Sequence, residues 1–188
     1  MRNFHCIATN IDVGPLMHAV IRNGHLWNQN RFRTTFPNTP HADVDDIWLR
    51  FSDPEQCTTT TNVIGDDRPI WHAAARELPQ AKPIILGLMR MVDAYELGRV
   101  LITRLRPGGR ILPHADKDGD YVQTPDRARY HVVLNGFPGS LYHCGDDPET
   151  RETVCMRTGE IWWFNAHQIH EVVNNSGQDR VHLLVDVR

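Results

Sequence analysis

The feature that most limits the fold of this chain is the rhythm of its second half. From Arg99 onward, short runs rich in β-branched and aromatic residues, RVLITRL, RILPHAD, ARYHVVLNG, SLYHC, TVCM, GEIWWFN, IHEVV and RVHLLVDV, alternate with Gly, Pro and Asn punctuation such as PGG and NNSGQD. Segments this short bury a face only by pairing with one another, and many of them at close spacing predict a sandwich or barrel. The expected fold is mainly β, a double-stranded β-helix (jelly roll, cupin-like), with α-helices from the N-terminal half packed outside one sheet. Residues 13 to 28 place Val13, Leu16, Met17, Val20, Ile21 and Trp27 at helical intervals. A second helix is predicted from about Arg68 to Leu78. A third runs from Pro83 to Leu97, with Pro at its start and Gly98 beyond its end. The polar stretch SDPEQCTTTTNVIGDDRP between them reads as a loop whose Thr run is either a short strand or a mobile flap.

With 188 residues, 40% of them hydrophobic, the chain can fill the core of a single domain: a helical or mixed support over 1–98 and a jelly-roll core over 99–188. A net charge of −3 supplies no basic field for nucleic acid or an anionic membrane, so neither partner is expected. Only Lys82 and Lys117 among the 20 basic residues are lysines, which suits bidentate anion contacts but equally reflects a codon bias toward Arg. Cys6, Cys57, Cys144 and Cys155 form no CxxC pair, so no zinc knuckle or disulfide framework is indicated. The N-terminal residues lack an apolar leader and no run approaches the roughly 20 apolar residues of a membrane span, so a cytoplasmic location is expected.

The tetrapeptide Pro-His-Ala-Asp occurs twice, at 40–43 and 113–116. Residues two apart on a strand face the same way, so an HxD supplies two ligands of the 2-His-1-carboxylate triad that binds non-haem Fe(II) and keeps positions open. His114 and Asp116 follow a strand and a PGG turn and are the favoured pair, with His170 as third ligand. A hairpin centred near Asn175 would set position i opposite 350 minus i and place His170 beside Arg180. A fixed guanidinium near a metal suits a dicarboxylate that chelates at one end and pairs with Arg at the other. Arg129 and His131 share one face of ARYHVVLNG, and Thr103 offers a hydroxyl. Two inward arginines are costly to bury without anionic partners, which favours a charged ligand.

The combined pattern LxPGGxxxPHxD, RYH and GEIWWFNxxxxHEVxNxSxxxRVHLLVDV resembles the aspartyl/asparaginyl β-hydroxylase family of Fe(II)- and 2-oxoglutarate-dependent oxygenases, over roughly residues 99 to 188. The resemblance implies that His114 and His170 bind iron, that Arg180 takes the distal carboxylate of 2-oxoglutarate with help from Thr103, and that Arg129 and His131 form the RxH holding the co-substrate. The implied cofactors are Fe(II), 2-oxoglutarate and O2. The implied reaction is hydroxylation of an amino acid or peptidyl side chain, with release of succinate and CO2. Vertebrate members have Gly where this chain has Asp116, so here a complete triad is expected.

Other residues read more plainly. His41 and Asp43 precede the helical half and are expected in a surface turn. His167 rivals His170 but is expected in solvent. His143 is read as structural, and His182 either as structural or as a substrate contact. Trp162 and Trp163 should pack on opposite faces, and Asp118 and Asp120 should be solvated. Trp48 and Arg50, in DDIWLRF, are candidates to grip a small-molecule or peptide substrate. A metal-binding cupin working as an isomerase, a lyase or a 2-oxoglutarate-independent dioxygenase is the rival reading, and it would not need the inward arginines.

Overall fold

In the computed structural model, residues 1–56, 68–116, 127–147 and 149–188 are described. Lys117, Asp118, Asp120 and the Thr run at 58–61 lie outside the described residues. The elements in chain order are β1 (Phe4–Ala8), α1 (Gly14–Arg22), a 3-10 turn (Gly24–Leu26), α2 (Phe32–Thr35), β2 (Val44–Phe51) and β3 (Ile70–Trp71). They continue with α3 (Ala74–Glu77), α4 (Ala81–Met91), β4 (Leu97–Leu105), β5 (Arg110–His114), β6 (Ala128–Asn135) and β7 (Ser140–Cys144). The last four are β8 (Glu152–Val154), β9 (Ile161–Phe164), β10 (His170–Asn174) and β11 (Arg180–Val187). The strands form a seven-stranded sheet, ordered β1-β9-β6-β11-β4-β2-β3, and a four-stranded sheet, ordered β5-β10-β7-β8. Every pairing is antiparallel, the jelly-roll arrangement that the strand rhythm predicts.

Alternation along the large sheet separates two environments. Val181, Leu183, Val185 and Val187 of β11, with Val100 and Ile102 of β4 and Val132 and Leu134 of β6, pack against Leu16, Ala19 and Val20 of α1 and Ile85 and Leu88 of α4. At about 25 cal/mol per Å2 of apolar surface, this layer supplies most of the drive to fold. The intervening residues face the small sheet, where Val133, Tyr142, Trp162, Phe164 and Val172 form a second cluster. Among them lie the buried polar side chains Thr103, His131, Arg180, His182 and Asp186. As expected, the tryptophans divide: Trp162 is buried in that cluster, while Trp163 stacks on His5.

The front half is less helical than its periodicity predicts and contributes three strands to the large sheet. The helix expected over 13–28 ends at Arg22, where the Asn23 side chain donates to the Ala19 carbonyl (2.9 Å) and closes the C-terminus. The helix expected over 68–78 is reduced to Ala74–Glu77, because Ile70 and Trp71 pair with Phe51 and Arg50. The helix expected over 83–97 spans Ala81–Met91, and Leu97 already belongs to β4.

The larger correction concerns the last turn. β10 pairs with β5 and β7, and β11 with β4 and β6, so NNSGQD crosses from one sheet to the other and does not close a hairpin. The fully buried Asn174 holds the crossing: its amide donates to the carbonyls of Leu105 (2.8 Å) and Gln178 (2.9 Å), and Ser176 Oγ donates to its Oδ1 (2.6 Å). His170 therefore lies opposite His114 and Cys144, not beside Arg180.

Candidate metal and co-substrate centre

β5 and β10 bring two histidines face to face. His114 and His170 are cross-strand partners with ring centroids 4.3 Å apart. Asp116, just past the end of β5, is anchored by its N–H to the Ala166 carbonyl (3.1 Å). One ligand atom from each of the three side chains lies within 4.8 Å of the others. Asp116 Oδ1 is 3.8 Å from His114 Nε2 and 3.9 Å from His170 Nε2. Two ligands each about 2.1 Å from one ion lie between roughly 3 and 4.2 Å apart, so the two carboxylate–imidazole spacings suit a divalent cation, and the widest separation in the cluster needs only a slight inward shift.

The surroundings fix which atoms converge. A carbonyl only accepts, so His114 Nδ1 donates to Leu112 (2.7 Å) and His170 Nδ1 donates to Gln168 (3.0 Å). Both rings then present an Nε2 lone pair, the usual orientation of a ligating imidazole. Burial first, and the neighbouring His170 next, lower the His114 pKa to about 4, so the imidazole is neutral at physiological pH. Asp116 is oriented in the same way: its Oδ2 accepts from Arg129 Nη1 (2.9 Å), which leaves Oδ1 toward the two histidines. Arg129 is itself held by Asp186, through Nε (2.7 Å) and Nη2 (3.0 Å).

Arg180 lies deeper, 4% exposed. Its guanidinium carbon is 5.8 Å from the Tyr142 ring centroid, and that ring is 6.0 Å from His170, so Tyr142 links the arginine to the metal-facing histidine. Arg180 Nη2 donates to His182 Nδ1 (3.1 Å), and among the described residues no carboxylate pairs with it. Burial lowers its pKa to about 10, the mark of a cation without a compensating anion. Because a guanidinium can only donate, His182 Nδ1 is an acceptor, so His131 Nδ1, 3.1 Å away, must carry the proton between the two rings. This leaves His131 Nε2 as an acceptor and His182 Nε2 as a donor, both buried without a partner among the described residues. Thr103, opposite His182 on β4, shares this face.

The predicted residues thus divide. His114, Asp116 and His170 come together, and Arg129, His131, Arg180, His182 and Thr103 occupy the interior behind them. Arg129 is engaged by two carboxylates and orients that of Asp116. Trp48 packs on Phe51 (4.3 Å) and His72 (5.6 Å), and Arg50 donates to the carbonyls of Leu97 and Pro69; both serve the joining of β2 to its neighbours. His167 is exposed, and His143 hydrogen-bonds Thr153 (2.7 Å). Three participants went unrecognised in the sequence: Tyr142, Asp186 and His41. His41 sits in the expected turn, with Ala42 and Asp43 exposed, but its own ring is half-buried and lies 4.8 Å from that of His114. The repeated tetrapeptide was the available signal for it.

A jelly roll carrying a His-x-Asp pair, a distant histidine and a buried arginine defines the class of 2-oxoglutarate/Fe(II) oxygenases. Solved structures agree in fold. A prolyl-4-hydroxylase from Pseudomonas putida is 15% identical with a TM-score of 0.57, covering 100% of this chain and 93% of its own. A 2OG-Fe(II) oxygenase family oxidoreductase from Burkholderia pseudomallei is 14% identical with a TM-score of 0.56 over 77% of this chain; the match spans 65% of that longer protein. AviO1 from Streptomyces viridochromogenes is 14% identical with a TM-score of 0.53, covering 99% and 89% of the two chains. No curated protein sequence matches. The family model described as aspartyl/asparaginyl beta-hydroxylase matches residues 35–188, well beyond the 99–188 over which the motifs are legible. The chain belongs to that family.

Proposed function

We propose that this protein hydroxylates an unactivated C–H bond of an amino acid or peptidyl side chain, using Fe(II), 2-oxoglutarate and O2. The observation that carries the reading is the pairing of a preoriented His114/Asp116/His170 cluster with a buried Arg180 that, among the described residues, has no carboxylate partner. A cupin using metal alone has no need of that cation, whose burial is costly without a ligand to neutralise it.

His114 Nε2, His170 Nε2 and Asp116 Oδ1 would hold the iron, and Arg180 would pair with the far carboxylate of the co-substrate, with Thr103, His131 and His182 as polar neighbours. When bound, iron and co-substrate supply the oxygen chemistry: 2-oxoglutarate loses CO2, one oxygen atom of O2 enters the resulting succinate and the other enters the substrate C–H bond. The protein's part is orientation. The carbonyls of Leu112 and Gln168 fix the imidazole tautomers, Arg129 and Asp186 fix the carboxylate, and the rings of Tyr142 and Phe164 pack against His170. The test is to incubate the Fe(II)-loaded protein with 2-oxoglutarate and a panel of amino acids and peptides, and to measure succinate and mass gain. One succinate per added oxygen supports the reading. Metal-dependent chemistry without 2-oxoglutarate consumption overturns it in favour of a cupin isomerase or lyase.

A further inference from the structure

The second Pro-His-Ala-Asp would supply two ligands under the proposed function, and the first copy lies directly against it. The Pro40 carbonyl accepts from the Leu112 N–H (2.9 Å), and Asp43 Oδ2 accepts from the Arg110 N–H (3.0 Å). Both donors belong to β5, the edge strand of the small sheet, so the first copy satisfies an edge that would otherwise expose its backbone. The turn is closed internally: the His41 N–H donates to Thr39 Oγ1 (3.2 Å) and the His41 carbonyl accepts from the Val44 N–H (3.0 Å).

This scaffold delivers the His41 ring to His114, 4.8 Å between centroids at 85°, an edge-to-face contact. The His114 imidazole is thus held on three sides: by His41, by His170 at 4.3 Å, and by the Leu112 carbonyl at Nδ1. His41 Nδ1 is buried with no partner among the described residues, so the contact that His41 offers His114 is that of its ring. We infer that His41 is a positioning residue whose ring, carried on the first Pro-His-Ala-Asp, fixes the plane of His114 so that Nε2 faces the metal. The inference rests on His114 being a ligand.

The test is Mn(II) titration of metal-free protein, with unbound Mn(II) counted by electron paramagnetic resonance, alongside thermal unfolding. His41→Ala should weaken Mn(II) binding about tenfold or more, the usual consequence of losing a group that orients a ligand. His41→Phe keeps a ring and needs no partner for Nδ1; it should bind within about threefold of wild type, with an undiminished thermal midpoint. Unchanged affinity in the alanine variant overturns the inference, and so does a phenylalanine variant as weak as alanine. If His41→Ala does not fold, His41→Gln, polar but without a ring, takes its place in the same comparison. His114→Ala separates the two levels: if it binds Mn(II) like wild type, the ligand reading itself falls, whereas if it loses binding while both His41 variants keep it, only the role of His41 falls.

Discussion

Replacing Arg180 by Met should make the metal-free, ligand-free protein more stable while removing its response to 2-oxoglutarate. The arginine is 4% exposed, and burial lowers its pKa from 12.5 to about 10, so holding the charged form inside costs about 3 kcal/mol. A group that binds its proton less tightly when folded destabilises the native state at every pH below the folded pKa, so a measurement at pH 7.5 meets the whole penalty. Met retains the apolar stem, but the bond to His182 and the contact over Tyr142 are lost, together about 1 to 2 kcal/mol. The net gain of about 1 to 2 kcal/mol corresponds to a rise of roughly 2 to 8 °C in the unfolding midpoint for a chain of this size. With Mn(II) and 2-oxoglutarate at about 100 times its Kd, wild type should gain about 2.7 kcal/mol and overtake the variant, which should gain nothing from the co-substrate. Differential scanning fluorimetry with and without ligands reads both halves. A variant less stable than wild type in the absence of ligands would show that the charge is already compensated. A variant still stabilised by 2-oxoglutarate would place the co-substrate elsewhere.

Three further outcomes follow from the site. Asp116→Ala should weaken Mn(II) binding by about 100-fold or more, beyond the range for outer groups, and unchanged affinity would mean that two histidines suffice. Asp186→Asn touches no ligand but loosens Arg129, so Mn(II) affinity measured by the same titration should fall about 10- to 100-fold; an unaltered value would remove Arg129 from the orienting chain. His114 has a folded pKa of about 4 against 6.5 unfolded, so metal-free protein should keep its stability above pH 6.5 and lose roughly 3 kcal/mol of it as the pH falls toward 4. Urea unfolding at pH 7.5 and 4.5 checks this, since equal stabilities would contradict a buried neutral imidazole. The loss should be compounded by His41, His131 and His182, whose pKa values burial also lowers.

The β-rich half and its chemistry were legible because strand alternation is a local property. Arg180 and His182, or Arg129 and His131, fall on one face by period alone, and the interior receives all four. The pairing of strands was not legible. NNSGQD has the composition of a hairpin turn, but the Asn174 amide ties the end of β10 to β4 and sends β11 into the other sheet, a tertiary hydrogen bond that no local signal reveals. His170 and Arg180 meet around Tyr142, not across a ladder. The turn at His41 was legible but the inward direction of its ring was not, because an isolated HxD in a turn looks solvated until the edge of β5 is seen to need covering. In the front half, helical periodicity overran its true ends where Asn23 capped α1 and where Ile70 and Trp71 found a strand partner.

The central claim is that His114, Asp116 and His170 share one ion and that Arg180 awaits a dicarboxylate beside it. A crystal structure with Mn(II) and N-oxalylglycine tests it most directly. The account predicts manganese bound by His114 Nε2, His170 Nε2 and Asp116 Oδ1, and the inhibitor's far carboxylate paired with Arg180. Manganese held by other side chains, or a carboxylate distant from Arg180, would contradict it.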